Sequence, residues 1–270
     1  MLRVQQEAMA LDQSQLNEFL YAMATRGYHV FNGFLQEDQC VALRAGLESA
    51  IREYRPRAGS VRSEQDAYLL HDLLCTDIVF ARLLEDPRLQ QLMAPLLGEH
   101  WIMYAFTSSS LPPGDTNYGH RIHVDSPRFV AGYPFNMGMI WTLDEFTAEN
   151  GATEVLAGSH HSADVPNADF FENNCQRAVC GRGGLIVFNA RLFHRSGVNR
   201  TDQWRHSLTM NTCRSYMKQR MDWVRFVPDD ISRNLNSQAR RLIGFDTRLP
   251  TSLDEFFVPE DRRLYKPGQG

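Results

Sequence analysis

Residues 118–129 read YGHRIHVDSPRF, and within them His123 and Asp125 stand two positions apart around the apolar Val124. Alternate side chains of an extended strand share a face, so this imidazole and this carboxylate point one way and Val124 points the other. A strand holding both could chelate one metal ion. A strand that merely carries two polar side chains has the same pattern, so a chemical reading needs a third ligand from elsewhere in the chain.

Nine histidines are available, and His194 has the most suggestive surroundings, GGLIVFNARLFHRSGVNRTDQWRHSL. The apolar run GLIVF reads as a buried strand that turns at Asn189-Ala190, which puts His194 at the start of the next strand, where a side chain can face into a barrel mouth. Two histidines and one carboxylate on one face of a metal leave positions open. That suits non-haem Fe(II), which must bind a co-substrate and oxygen together. A closed zinc site would want a fourth Cys or His. Arg205 follows His194 by eleven residues, beyond the polar turn NRTDQW. On the returning strand Arg205, Ser207 and Thr209 face one way, and His206 and Leu208 the other. A guanidinium grips a carboxylate through two parallel N–H bonds. A dicarboxylate such as 2-oxoglutarate, chelating iron through its 2-oxo acid end, needs such a partner at its far end. Ser196, two residues after His194, shares that histidine's face and offers a hydroxyl.

Other polar residues read as supporting groups. His120 precedes His123 by three and so faces the opposite side of a strand; His206 faces away from Arg205; His160 and His161 follow Gly158-Ser159 at a strand end. Arg55-Pro56-Arg57 lies in a long loop that could close over a barrel mouth. Arg121, Arg128, Phe129 and Tyr133 flank the HxD triplet and are candidates for touching substrate.

These residues need a scaffold, and the chain changes texture to provide one. The first hundred residues are mainly helical. LDQSQLNEFLYAMATRG carries apolar residues at helical spacing and Gly27 follows as its cap; YHVFNGFL is a short strand; EDQCVALRAGLESAIREY is a second amphipathic helix. Two further helices break near Asp86-Pro87. After His100 the chain becomes a series of short strands, WIMYAFTSSSL, HRIHVD, NMGMIWTLDEF, ATEVLAG, QRAVC, GGLIVFNA and RHSLTMNTC, with Asn150-Gly151 as a hairpin signal. A last helix is expected over ISRNLNSQARRLIG. Strands so spaced, without intervening helices, indicate a jelly roll rather than a doubly wound sheet. The reading is one domain over 1–270: helices to about 100, a cupin-like double-stranded β-helix over about 100–215 with those helices packed outside it, and a helical C-terminal extension.

Composition excludes other classes. The 270 residues carry a net charge of −4, with no basic stripe for nucleic acid or for an anionic membrane. Cys40, Cys75, Cys175, Cys180 and Cys213 are odd in number, scattered and without a CxxC, as expected for reduced thiols of a cytoplasmic protein. No signal peptide or apolar membrane-spanning run is apparent.

In combination, HVD, IWTLDEFTAENGATEVLAGSHH and GGLIVFNARLFHRSGVNRTDQWRHSL resemble the phytanoyl-CoA dioxygenase family of Fe(II)/2-oxoglutarate-dependent oxygenases. The resemblance is good over about residues 100–213 and looser in the N-terminal helices. It implies His123, Asp125 and His194 as iron ligands, Arg205 and Ser196 on the 2-oxoglutarate carboxylate, and Trp141 or Thr142 beside the co-substrate. Ala157 departs from the family, which has Pro before Gly-Ser-His, without touching a ligand. The implied activity consumes O2 and 2-oxoglutarate, releases succinate and CO2, and hydroxylates or otherwise oxidises a small-molecule metabolite. Related halogenases have a small residue where this chain has Asp125, so oxygenation is the expected outcome. An acyl-CoA substrate ranks below a free metabolite because no basic cluster awaits its phosphates. Two competing functions use the same barrel: an oxygen-independent metal-dependent isomerase or hydrolase, against which Arg205 argues, and a non-catalytic binding protein, against which the intact triad argues. A monomer or homodimer without nucleic-acid or membrane partners is expected.

Overall fold

Asp12 opens the first helix. Its carboxylate accepts from the Gln15 N–H while the Gln15 side chain accepts from the Asp12 N–H, a reciprocal cap. This helix, α1 (Gln13–Thr25), stops where Gly27 takes a φ of 81° and bonds back to the Ala22 carbonyl, a left-handed conformation that glycine adopts without steric cost. β1 (Tyr28–Phe31) and α2 (Glu37–Glu53) follow. Next come α3 (Leu73–Thr76), α4 (Ile78–Ala81) and α5 (Arg88–Leu97), the last beginning after the break at Asp86-Pro87 that the sequence predicts. The computed structural model describes residues 10–55 and 68–263; most of the Arg55-Pro56-Arg57 loop lies outside them.

The remaining elements are β2 (Ile102–Ser108), β3 (Asn136–Thr142), β4 (Glu154–Val155), α6 (Ala168–Asn174), β5 (Gln176–Arg177), β6 (Leu185–Asn189), β7 (His194–Arg195) and β8 (Ser207–Cys213), then α7 (Trp223–Phe226), α8 (Asp229–Ser232), α9 (Ser237–Ile243) and α10 (Leu253–Phe256). The single helix expected over 231–244 is two. Asn236 caps α9 by accepting from the Ala239 N–H, and a side chain that competes for backbone hydrogen bonds favours a new start over continuation.

The strands form two antiparallel sheets, ordered β1-β6-β3-β8-β2 and β5-β4-β7. Each face of the larger sheet carries an apolar cluster. Met137, Met139 and Trp141 of β3, with Leu185, Val187, Leu208 and Met210, pack on Leu43, Leu47, Phe80 and other helical side chains, including Leu242 and Ile243 of α9. Ile140, Ile186 and Phe188 turn to the other face and meet Val155, Ala178 and Cys180 from the smaller sheet's side. The core is thus a jelly roll with helices over its outer face, the class the sequence predicts. No helix among the described residues is long and apolar enough to cross a membrane.

Two local expectations fail. HRIHVD is not a regular strand; its single β-bridge joins His123 to His194. The neighbouring amides bond elsewhere, His120 to the Asn117 carbonyl and Ser126 to the Ala190 carbonyl. Asn150-Gly151 does turn, with Gly151 at a φ of 84°. However, it lies between β3 and β4, which belong to different sheets, so the turn serves a crossover and not a hairpin.

Candidate metal and co-substrate site

The bridge between His123 and His194 builds the site. Each backbone N–H donates to the other's carbonyl at 3.0 Å, and the two rings lie 4.3 Å apart between centroids. Asp125 completes the cluster: its Oδ1 is 3.6 Å from His123 Nε2 and 3.9 Å from His194 Nε2. One ligand atom from each of the three residues falls within 4.8 Å of the others.

The opposite ring nitrogens are already engaged. His123 Nδ1 donates to the Arg121 carbonyl at 2.7 Å and His194 Nδ1 to the Leu192 carbonyl at 2.9 Å. A carbonyl can only accept, so both protons sit on Nδ1 and both Nε2 lone pairs face the cluster, the tautomer that metal binding requires. Burial lowers the pKa of His194, and the Asp125 charge offsets this only in part. At His123 burial acts in the same direction but is outweighed by the hydrogen bond and charge of Asp125, so its pKa is raised. Burial also resists ionisation of Asp125; His123, His194 and Asn211 together overcome it and hold the carboxyl below its ordinary value. An ionised carboxylate and a neutral His194 are ligand-ready forms. The donor set therefore fits a divalent cation.

Arg205 is 2% exposed, and among the described residues its Nε has no hydrogen-bond partner. The guanidinium lies over the Phe146 ring, a member of the same inter-sheet cluster as Phe188, whose ring is 4.9 Å from that of His194. Burial pulls its pKa down to about 9, so the group is still a cation at neutral pH. A buried cation without a counter-ion is costly unless a ligand supplies one.

The other sequence candidates are placed as follows. Ser196 follows β7, its N–H donating to the Gly119 carbonyl at 2.7 Å and its carbonyl accepting from His120 Nδ1 at 2.8 Å. His120 therefore supports the ligand strand from the side. Thr142 faces the barrel interior, where its hydroxyl donates to the Gly181 carbonyl at 2.7 Å and accepts from the Gly184 N–H at 2.9 Å, holding the turn before β6. Trp141 is not brought to the site: its ring packs among the helices on the opposite face of β3. His161 Nε2 donates to the Ala24 carbonyl at 2.9 Å, tying its turn to α1. His206 is buried, stacked on Trp204 and bonded to Ser110 Oγ at 2.8 Å. Arg121 lies over the exposed Tyr118 ring, and Tyr133 bonds Tyr216 through their hydroxyls at 3.1 Å.

Sequence reasoning missed Asn211 and Asn136. Asn211 Nδ2 donates to Asp125 Oδ2 at 3.4 Å, and Asn136 Nδ2 donates to Asn211 Oδ1 at 3.0 Å. The available signal was the alternation on β8, which gives Asn211 the same face as Arg205.

Residues 23–207 match the model of the phytanoyl-CoA dioxygenase (PhyH) family, and the chain belongs to that family. Membership places it among the Fe(II)/2-oxoglutarate-dependent oxygenases. It is 29% identical over 266 residues to the uncharacterized protein Rv1501 of Mycobacterium tuberculosis, covering 96% of this chain and 97% of that one. It is 23% identical over 258 residues to the dioxygenase trt7 of Aspergillus terreus, covering 88% and 87% of the two chains. Among solved structures, the epimerase SnoN in complex with Fe3+, alpha ketoglutarate and nogalamycin RO aligns with a TM-score of 0.61 at 18% identity, over 75% of this chain and 84% of that one. EvdMO1 aligns with a TM-score of 0.61 at 25% identity, over 73% of this chain but only half of the other.

Proposed function

We propose that this protein hydroxylates a small-molecule metabolite, using Fe(II) held by His123 Nε2, Asp125 Oδ1 and His194 Nε2. The observation that carries the co-substrate assignment is Arg205, a fully buried cation whose Nε has no partner among the described residues, on a barrel that also holds a two-histidine, one-carboxylate set. In this reading Arg205 receives the distal carboxylate of 2-oxoglutarate and the Ser196 hydroxyl assists it. Bound iron would supply oxygen activation coupled to conversion of 2-oxoglutarate to succinate and CO2, with one oxygen atom delivered to substrate.

The protein's part is orientation and exclusion of water. The Arg121 and Leu192 carbonyls keep both imidazoles in the binding tautomer. Arg205 fixes the co-substrate's far end through charge-assisted hydrogen bonds, and Phe146 beneath it lines a dry wall. With Asp125 occupying a ligand position, halide has no vacated place, so the product is oxygenated.

The test is succinate formation by anaerobically prepared protein given Fe(II) and 2-oxoglutarate, then oxygen, with and without candidate metabolites. Slow turnover that a metabolite accelerates, with a hydroxylated product, is expected. Activity that persists without oxygen or 2-oxoglutarate would replace this reading with an isomerase or hydrolase. A chlorinated product would overturn the assigned outcome.

A further inference from the structure

On β8, Leu208 and Met210 turn toward the helices, as does Thr212, whose hydroxyl meets Met93 Sδ at 3.7 Å. Asn211 therefore turns into the barrel. It is paired with Gly138 of β3 on one side and Ala105 of β2 on the other, and from there its amide reaches Asp125. A carboxylate has no proton to give, so the end of Asn211 that faces Asp125 must be its NH2. Asn136 makes the same choice from the other side, because its own NH2 donates to Asn211 Oδ1. Asn136 is 5% exposed, so water competes little for that bond. One orientation of the Asn211 amide satisfies both contacts.

The two oxygens of Asp125 are thereby distinguished. Oδ1 faces the imidazoles at 3.6 and 3.9 Å, and Oδ2 receives Asn211. We propose that Asn211, oriented by Asn136, is a positioning residue that occupies Oδ2 and restricts Asp125 to one metal bond through Oδ1. This rests on reading His123, Asp125 and His194 as the metal site. A carboxylate free to bind through both oxygens would take a position that co-substrate and oxygen need. The amide pair thus keeps the site open.

Water-proton relaxation of the full chain at saturating Mn(II) tests this, because it counts the exchangeable waters on the ion. The native complex is expected to behave as an ion with about three waters, and Asn211→Ala as one with about two, a relaxivity lower by about a third. Asn136→Ala, which frees the amide to turn, is expected to show a smaller fall in the same direction, and the double variant no more than Asn211→Ala alone. Should Asn211→Ala fail to fold, Asn136→Ala carries the test. Native relaxivity in the folded variants overturns the proposal while leaving the metal site standing. Failure of the native protein to bind Mn(II) overturns the site itself, and this proposal with it.

Discussion

The Arg205 guanidinium carbon lies 4.0 Å from the centroid of the Phe146 ring, and among the described residues no carboxylate meets it. The ring's quadrupole returns part of the lost hydration, but it cannot satisfy N–H groups. Arg205→Met should therefore act in opposite senses on binding and folding. The 2-oxoglutarate Kd should rise about 10- to 100-fold, the equivalent of one charge-assisted pair at roughly 1.5–3 kcal/mol. The ligand-free Tm should hold or rise, because an unpaired buried charge is gone. Thermal unfolding with Mn(II), with and without 2-oxoglutarate, checks both. Equal stabilisation of native and variant by 2-oxoglutarate would remove Arg205 from the site.

The ligands should separate function from stability. The His123 and Asp125 side chains are 24% and 27% exposed, so His123→Ala and Asp125→Ala should abolish metal binding and turnover with little change in Tm. The His194 side chain is only 9% exposed and packs at a tilt against the Phe188 ring. Its truncation should also cost about 1–2 kcal/mol through lost packing. Equal loss of Tm in all three variants would show that the histidines are equivalent core residues.

Gly138 controls the position of that Phe188 ring. A Cβ at 138 would lie 2.1 Å from Phe188 Cζ, so Gly138→Ala must displace the ring that packs on His194. Overpacking of this kind costs about 1–3 kcal/mol. The variant should be destabilised by that amount and bind metal more weakly, and Phe188→Leu should recover the stability in the double variant. Native metal affinity in the destabilised Gly138→Ala variant would show that the ring does not support His194.

These contacts differ in how legible they are from sequence. His123 and Asp125 were readable because an i, i+2 pair shares a face, and His194 because an apolar run and a turn precede it. Fold class followed from the series of short strands. Trp141 against Thr142 was not readable. β3 is buried along its whole length, so no polar alternation shows which of two adjacent residues faces the interior. The Asn136–Asn211–Asp125 chain spans 75 and 86 positions of sequence, and only the pairing of β3 with β8 brings it together. The HVD segment brings His123 and Asp125 beside His194 without forming a strand, because one bridge to His194 is enough to align the two imidazoles.

Acid should destabilise the fold through two histidines outside the metal cluster. Burial lowers the pKa of His206 to about 4, helped by Arg44 and Arg205 and opposed by Glu48. Burial lowers that of His160 to about 4 as well, helped by His161 and opposed by the carbonyls of Ala24 and Met23. Both start from an ordinary 6.5 in the unfolded chain. Between pH 6.5 and about 4 the unfolded state therefore binds protons that the folded state refuses, so stability rises with pH across this window and is fully present above it. At pH 5 each group should subtract about 2 kcal/mol relative to neutral pH. His206→Gln should be less stable at pH 7, having lost its stack on Trp204 and its bond to Ser110, yet its stability should fall about 2 kcal/mol less between pH 7 and pH 5. Urea unfolding at the two pH values measures this directly. An unchanged pH dependence in the variant would mean that His206 takes up its proton in the folded protein at an ordinary pH.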